Sequence, residues 1–232
     1  MKRDRIALLD ALRGFSVVLM VIHHTLYNLV YVLDAPRWLF RNPAFTILHP
    51  MFAGLFILLS GISSRFSSGN IKRGLKVSAL AVGITVVTYL LNIPIWFGIL
   101  HLLGFSMLFF GLTRKFWDMM PQKFAWIVYI VLIVVSAWAV ANIPLQSEHI
   151  WMFGWVRPEF FSYDYFPILP WVFVFLLGTW AGVYIDARAL PERFYTIDPP
   201  VFPAIGRRSL LIYILHQPIL YSIALGIAFL WN

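Results

Sequence analysis

The chain has 232 residues, of which 61% are hydrophobic and only 12% charged, with no cysteine and a formal net charge of +8. A soluble domain of this length has too much surface to cover with so few charges, so the composition describes a polytopic membrane protein. Without cysteine there is neither a disulfide framework nor a thiolate metal site, and the basic residues fall in short segments between apolar runs rather than along a face suited to nucleic acid.

A spanning helix needs about 20 apolar residues to cross about 30 Å of hydrocarbon. Seven stretches meet that requirement, near residues 11–32, 44–65, 75–93, 97–113, 124–142, 166–186 and 208–230. They predict an all-α membrane bundle of about seven transmembrane helices, forming a single domain over residues 1–232. The fourth stretch is short and follows Pro94, so a tilted or broken helix is expected there.

The first helix carries the most informative pattern, LDALRGFSVVLMVIHH, from Leu9 to His24. Eleven helical steps of about 100° separate Arg13 from His24, roughly three turns plus 20°, so the two side chains share a face about 16 Å apart along the axis. Asp10 lies three residues before Arg13 and can pair with it. Lipid penalises every one of these groups, so the face that bears them should look into the protein. His23 points about 100° away and is the weaker candidate.

Fourteen of the eighteen Lys and Arg residues lie in the first five residues and in, or at the edges of, the segments after the second, fourth and sixth stretches. Lys2, Arg3, Lys72, Arg73, Arg207 and Arg208 are among them. The opposite loops carry Arg37, Arg41 and Arg157. This asymmetry predicts a cytoplasmic N-terminus and integration in the plasma (inner) membrane. The external segment near 143–165 carries Glu148, Trp151, Trp155 and Asp164, and its tryptophans read as an interfacial belt. The internal segment 187–207, with its IDPPVFP run, reads as a stiff turn.

Three further histidines, His49, His101 and His216, sit in or beside predicted spans. His216 lies about 12 Å into the last helix and His24 about 20 Å into the first, depths compatible with one central site. Imidazole exchanges protons near neutral pH, which suits it to acid–base work.

Five blocks in order, LDALRGFSVVLMVIHH, LFILLSGISSRFSSGNIKRGLKV, FGILHLLGFSMLFF, YDYFPILPWVFVFLLGTWAG and IGRRSLLIYILHQPIL, resemble the heparan-α-glucosaminide N-acetyltransferase catalytic family, in its small bacterial form. The first block also resembles the Arg-x10-His motif of the broader membrane acyltransferase superfamily. The resemblance implies transfer of acetyl from cytosolic acetyl-CoA to an extracytoplasmic sugar amine or hydroxyl of glucosamine type. It places Arg13 toward the coenzyme, His24 as base or acetyl relay, and His216 in the S-x-x-x-Y-x-x-H block that begins at Ser209.

That chemistry sets three demands. An anionic donor must be held, for which Arg13 with Asp10, Lys72, Arg73, Arg207 and Arg208 are candidates. The acceptor must lose a proton, for which His24 and His216 are candidates. A tetrahedral oxyanion must be stabilised, for which Arg13 and His101 are candidates. Asp164 and His49 are candidate acceptor contacts; Asp164 reads equally well as a carboxylate at a helix N-terminus. The expected partners are acetyl-CoA, a sugar acceptor and the bilayer, with no nucleic acid and no metal; a homo-oligomer is compatible with the sequence. Intramembrane Arg and His also suit a small proton-coupled transporter, although no inverted repeat is evident.

Overall fold

A computed structural model describes residues 5–145 and 149–231; Lys2, Arg3 and Glu148 lie outside the described residues. Within them all regular structure is helical, apart from an isolated bridge between Phe97 and Tyr165. The helices are α1 (Ala7–Tyr31), α2 (Pro43–Arg65), α3 (Asn70–Leu90), α4 (Ile99–Asp118), α5 (Gln122–Asn142), α6 (Ile168–Asp186), α7 (Glu192–Thr196), α8 (Phe202–Arg207) and α9 (Ser209–Trp231). Seven of them, all but α7 and α8, are long and apolar enough to cross a membrane.

The observed ends differ from the hydropathy boundaries where polar groups find partners. Helix α3 begins at Asn70, whose side chain donates to the carbonyls of Ser64 and Ser67 at 2.8 and 3.2 Å. Lys72 and Arg73 therefore lie in its first turn rather than in a loop. It stops at Leu90, just ahead of Asn92, which takes a left-handed φ of 58°. Helix α4 is one unbroken helix of 20 residues, because Pro94 lies in the connection before it. It runs past Arg114 and Lys115 to Asp118, whose carboxylate pairs with Arg65 at 2.5 Å and with Arg114 at 3.5 Å. The segment 187–207 holds two short helices; Pro203 falls in the first turn of α8, where its missing N–H removes no helical hydrogen bond.

The chain divides into two compact units, Met1–Leu59 with Leu190–Asn232, and Ser60–Ala189. In the second unit α4 packs on α3 and α6, and α5 packs on α6. Phe110, Leu102, Phe175 and Leu176 are fully buried there. The connection into α6 folds back on this core. Trp155 donates its indole N–H to the Ile143 carbonyl at 2.9 Å, and the Tyr165 hydroxyl donates to the Trp151 carbonyl. Burial pushes the Tyr165 phenol up to about 12, so it stays a neutral donor at physiological pH. Trp151 also stacks with Phe160 at 5.7 Å. Both tryptophans, read from sequence as an interfacial belt, thus hold the loop to itself.

The entrance of α4 is a small polar knot. The His101 Nδ1 accepts the Gly98 N–H at 3.2 Å. Its Nε2 lies 3.0 Å from Thr85 Oγ1, and the Thr85 hydroxyl donates to the Ile95 carbonyl at 2.6 Å. The Thr85 proton is therefore committed, so Nε2 is the donor and the imidazole is neutral with both nitrogens used.

In the first unit α1 packs on α7, α8 and α9. Its closest contact is backbone to backbone. A Cβ on Gly206 would overlap the Asp10 carbonyl and approach the Gly14 nitrogen to 3.0 Å; a Cβ on Gly14 would overlap the Phe202 carbonyl. Close approach of this kind is how membrane helices gain packing energy where lipid offers no hydrophobic drive.

Three substitutions test these contacts. Gly206→Ala should lower stability by about 1–3 kcal/mol or more through overpacking against a backbone that cannot yield, measured by unfolding in detergent micelles. Gly226→Ala, with nothing within 4 Å of its added Cβ, should leave stability unchanged or slightly raised. His101→Ala should cost about 1–3 kcal/mol by orphaning the Gly98 N–H and leaving the Thr85 hydroxyl oxygen without its donor, measured in the same way.

Candidate functional site

The glycine contact holds α1, which carries His24, against α8, the short helix that leads through Arg208 into α9 and His216. Residues 14 to 24 and residues 206 to 216 are both ten-residue intervals. Each interval spans about 15 Å if helical. From the contact of Gly14 with Gly206 the chain runs ten residues along α1 to His24, and ten residues through the α8–α9 junction at Arg208 to His216, where the two rings meet. Their ring centroids lie 4.9 Å apart at 61°.

His216 is 9% exposed and its tautomer is fixed by its surroundings. Nδ1 lies 2.6 Å from the Tyr213 carbonyl, which can only accept, so Nδ1 carries the hydrogen. Nε2 is then a bare lone pair, and it is buried with no hydrogen-bond partner among the described residues. This imidazole is held by its back nitrogen and presents an unsatisfied acceptor at its front.

His23, the weaker candidate by helical phase, is drawn into a second pair. It stacks on His49 at 4.5 Å and 25°, with Phe40 and Phe52 at 4.8 and 6.0 Å. Its ring lies 5.5 Å from that of His24. Four imidazoles from α1, α2 and α9 thus form one continuous group. Pro50 directly follows His49 and Pro218 follows His216 by two residues. Each proline removes one helical N–H within a turn of a histidine.

Toward the N-terminal end of α1, Arg13 donates to Asp10 at 2.8 Å, and both side chains are less than one-fifth exposed. The pair neutralises a guanidinium that the apolar span would otherwise penalise. Arg207 and Arg208 follow Gly206 and are exposed, next to the backbone contact with Asp10. One turn beyond His24, Asn28 is 3% exposed and its Oδ1 accepts from Gln217 Nε2 at 3.2 Å.

The remaining candidates belong to the second unit. Lys72 and Arg73 are exposed on the first turn of α3. Asp164 Oδ2 accepts the Ile99 N–H at 3.1 Å. It therefore serves the N-terminus of α4 rather than that of α6, the helix it precedes in sequence. His101 forms the knot beside it. Among the described residues no group of three or more His, Asp or Glu side chains is arranged to hold a metal ion. The residues that pattern reading passed over are Asn28 and Gln217. Their signal was available, as carboxamides inside apolar runs that lipid would penalise.

No curated protein and no solved structure matches the chain. The family model described as "Heparan-alpha-glucosaminide N-acetyltransferase, catalytic" matches residues 5–218. That span runs from just before the Asp10–Arg13 pair to just past His216 and Gln217. The chain therefore belongs to the heparan-alpha-glucosaminide N-acetyltransferase catalytic family, a family of membrane acetyltransferases.

Proposed function

We propose that the protein moves an acetyl group from cytosolic acetyl-CoA to an amine or hydroxyl of a sugar on the other side of the plasma (inner) membrane, with a glucosamine-type compound as acceptor. The reading rests on one observation above the rest: the buried lone pair of His216 Nε2, set by the Nδ1–H bond to Tyr213, on a ring 4.9 Å from that of His24. An imidazole so held can take a proton without first reorganising.

The basic loops favour a cytoplasmic N-terminus. In that orientation Arg13, Arg207 and Arg208 lie at the donor side, where guanidinium groups suit phosphates. Lys72 and Arg73 are further proposed phosphate ligands. The acceptor nitrogen or oxygen attacks the thioester carbonyl as its proton passes to the His24–His216 pair through Nε2 of His216. The carbon–sulfur bond then breaks, and the thiolate leaves and takes that proton back. The products are the acetylated acceptor and free coenzyme A, with no net change in protons for a neutral acceptor. Direct transfer in a ternary complex needs no covalent acetyl-enzyme. His49, stacked on His23, is proposed to line the acceptor side. His101 and Asp164 are proposed to act by holding the entrance of α4.

The test is acetyl transfer from labelled acetyl-CoA to glucosamine by purified protein. His216→Ala and His24→Ala should each lower kcat by about 10²–10⁴, with circular dichroism and melting behaviour retained. Unchanged turnover in both variants would remove the pair from the mechanism. Arg13→Ala should raise KM for acetyl-CoA more than KM for the acceptor; the reverse pattern would move Arg13 away from the donor. Sugar flux into liposomes without acetyl-CoA would replace the transferase reading with that of a transporter.

A further inference from the structure

Asn28 and Gln217 meet through a single hydrogen bond, in which Gln217 Nε2 donates to Asn28 Oδ1. That bond uses one donor and one acceptor of two carboxamides. Asn28 Nδ2 and Gln217 Oε1 are both buried and have no hydrogen-bond partner among the described residues. Asn28 is 97% buried, being 3% exposed. A buried polar atom left unmet is costly, and two on a hydrogen-bonded pair of side chains are a strong local demand. The demand has a definite sign: the Asn28 NH2 has hydrogens to give and the Gln217 oxygen has lone pairs to receive. A single hydroxyl meets both, its oxygen accepting from Asn28 while its hydrogen is donated to Gln217.

The location fits the same chemistry. Gln217 is the next residue after His216, and Asn28 lies four residues beyond His24, about 6 Å further along α1. The pair sits past the histidines, on the side away from Asp10 and Arg13. An acceptor whose reacting group lies at His216 Nε2 would carry its other polar groups in that direction.

We propose that Asn28 and Gln217 together bind a hydroxyl of the acceptor other than the group that is acetylated. The acceptor is thereby selected as a polyhydroxylated molecule rather than a simple amine or alcohol. This rests on the acetyl-transfer reading for the identity of the bound molecule. The amides of the donor's pantetheine arm offer the same donor and acceptor, and the experiment separates the two sources.

The experiment measures kcat/KM of the full-length protein in detergent micelles for glucosamine and its 3-, 4- and 6-deoxy analogues at saturating acetyl-CoA. In the wild type at least one analogue should fall tenfold or more. In Gln217→Met and in Asn28→Leu that penalty should shrink to less than threefold. The readout is a ratio between acceptors in one preparation, so loss of folded protein cancels. Penalties that persist in both variants would show that the carboxamides only tie α1 to α9, and would overturn the proposal. A raised KM for acetyl-CoA with unchanged penalties would assign the pair to the donor arm and overturn it equally. Equilibrium binding of the same sugars without acetyl-CoA keeps this inference separate from the reading beneath it. Hydroxyl-dependent binding that Gln217→Met removes, in a protein that transfers no acetyl, supports the hydroxyl site and rejects the transferase. Acetyl transfer without hydroxyl dependence does the opposite. Absence of both binding and turnover of glucosamine would overturn the proposal.

Discussion

The contact between Gly14 and Gly206 is the constraint from which the rest of the first unit follows. Two backbones meet there with no side chain between them. Packing so close has little freedom to slide, because a shift in either direction brings a side chain into the gap. From that fixed point, equal lengths of chain lead to His24 and His216, whose rings meet. The pairing of the two rings thus depends on a contact ten residues away along each segment of chain. A histidine pair could not be held in the same way by its own interaction, since two imidazoles 4.9 Å apart at an oblique angle gain little from each other.

Among the described residues, most polar groups in the apolar part of this unit have an internal partner or an assigned function. Arg13 has Asp10, and His216 Nδ1 has the Tyr213 carbonyl. His23 and His49 have each other and a cage of phenylalanines. What is left over is His216 Nε2, the Asn28 carboxamide nitrogen and the Gln217 carboxamide oxygen, on neighbouring residues of α1 and α9, together with His23 Nδ1 on α1. Membrane interiors do not tolerate such leftovers without reason. Their clustering is a stronger statement than any one of them.

Much of this was legible in the sequence, for physical reasons that can be named. Seven apolar runs predict seven spans because hydrocarbon thickness fixes helix length. The Arg13–His24 face was legible because α1 is regular and periodicity alone decides which side chains share a side. Helix ends were less legible where charge continues into the helix. Arg114 and Asp118 read as loop, yet they are carried on α4 because they pair with each other and with Arg65. Helices α7 and α8 were hidden in a proline-rich stretch that local rules assign to a turn. The union of His23 with His49 depends on how α1 and α2 approach, which no period within one helix encodes. Asn28 and Gln217 are 189 positions apart, and only the fold shows that their carboxamides meet.

The prolines beside the histidines have a consequence for motion. At Pro50 and Pro218 the helical ladder lacks a rung within two residues of an imidazole. An imidazole that turns between receiving and releasing a proton tugs on its own backbone. In α2 and α9 that strain falls where the ladder is already open, so a small change of bend there breaks no further amide bond. The glycine seam holds α1 against α8 on one side of the His24–His216 pair, and Pro218 opens the ladder of α9 on the other.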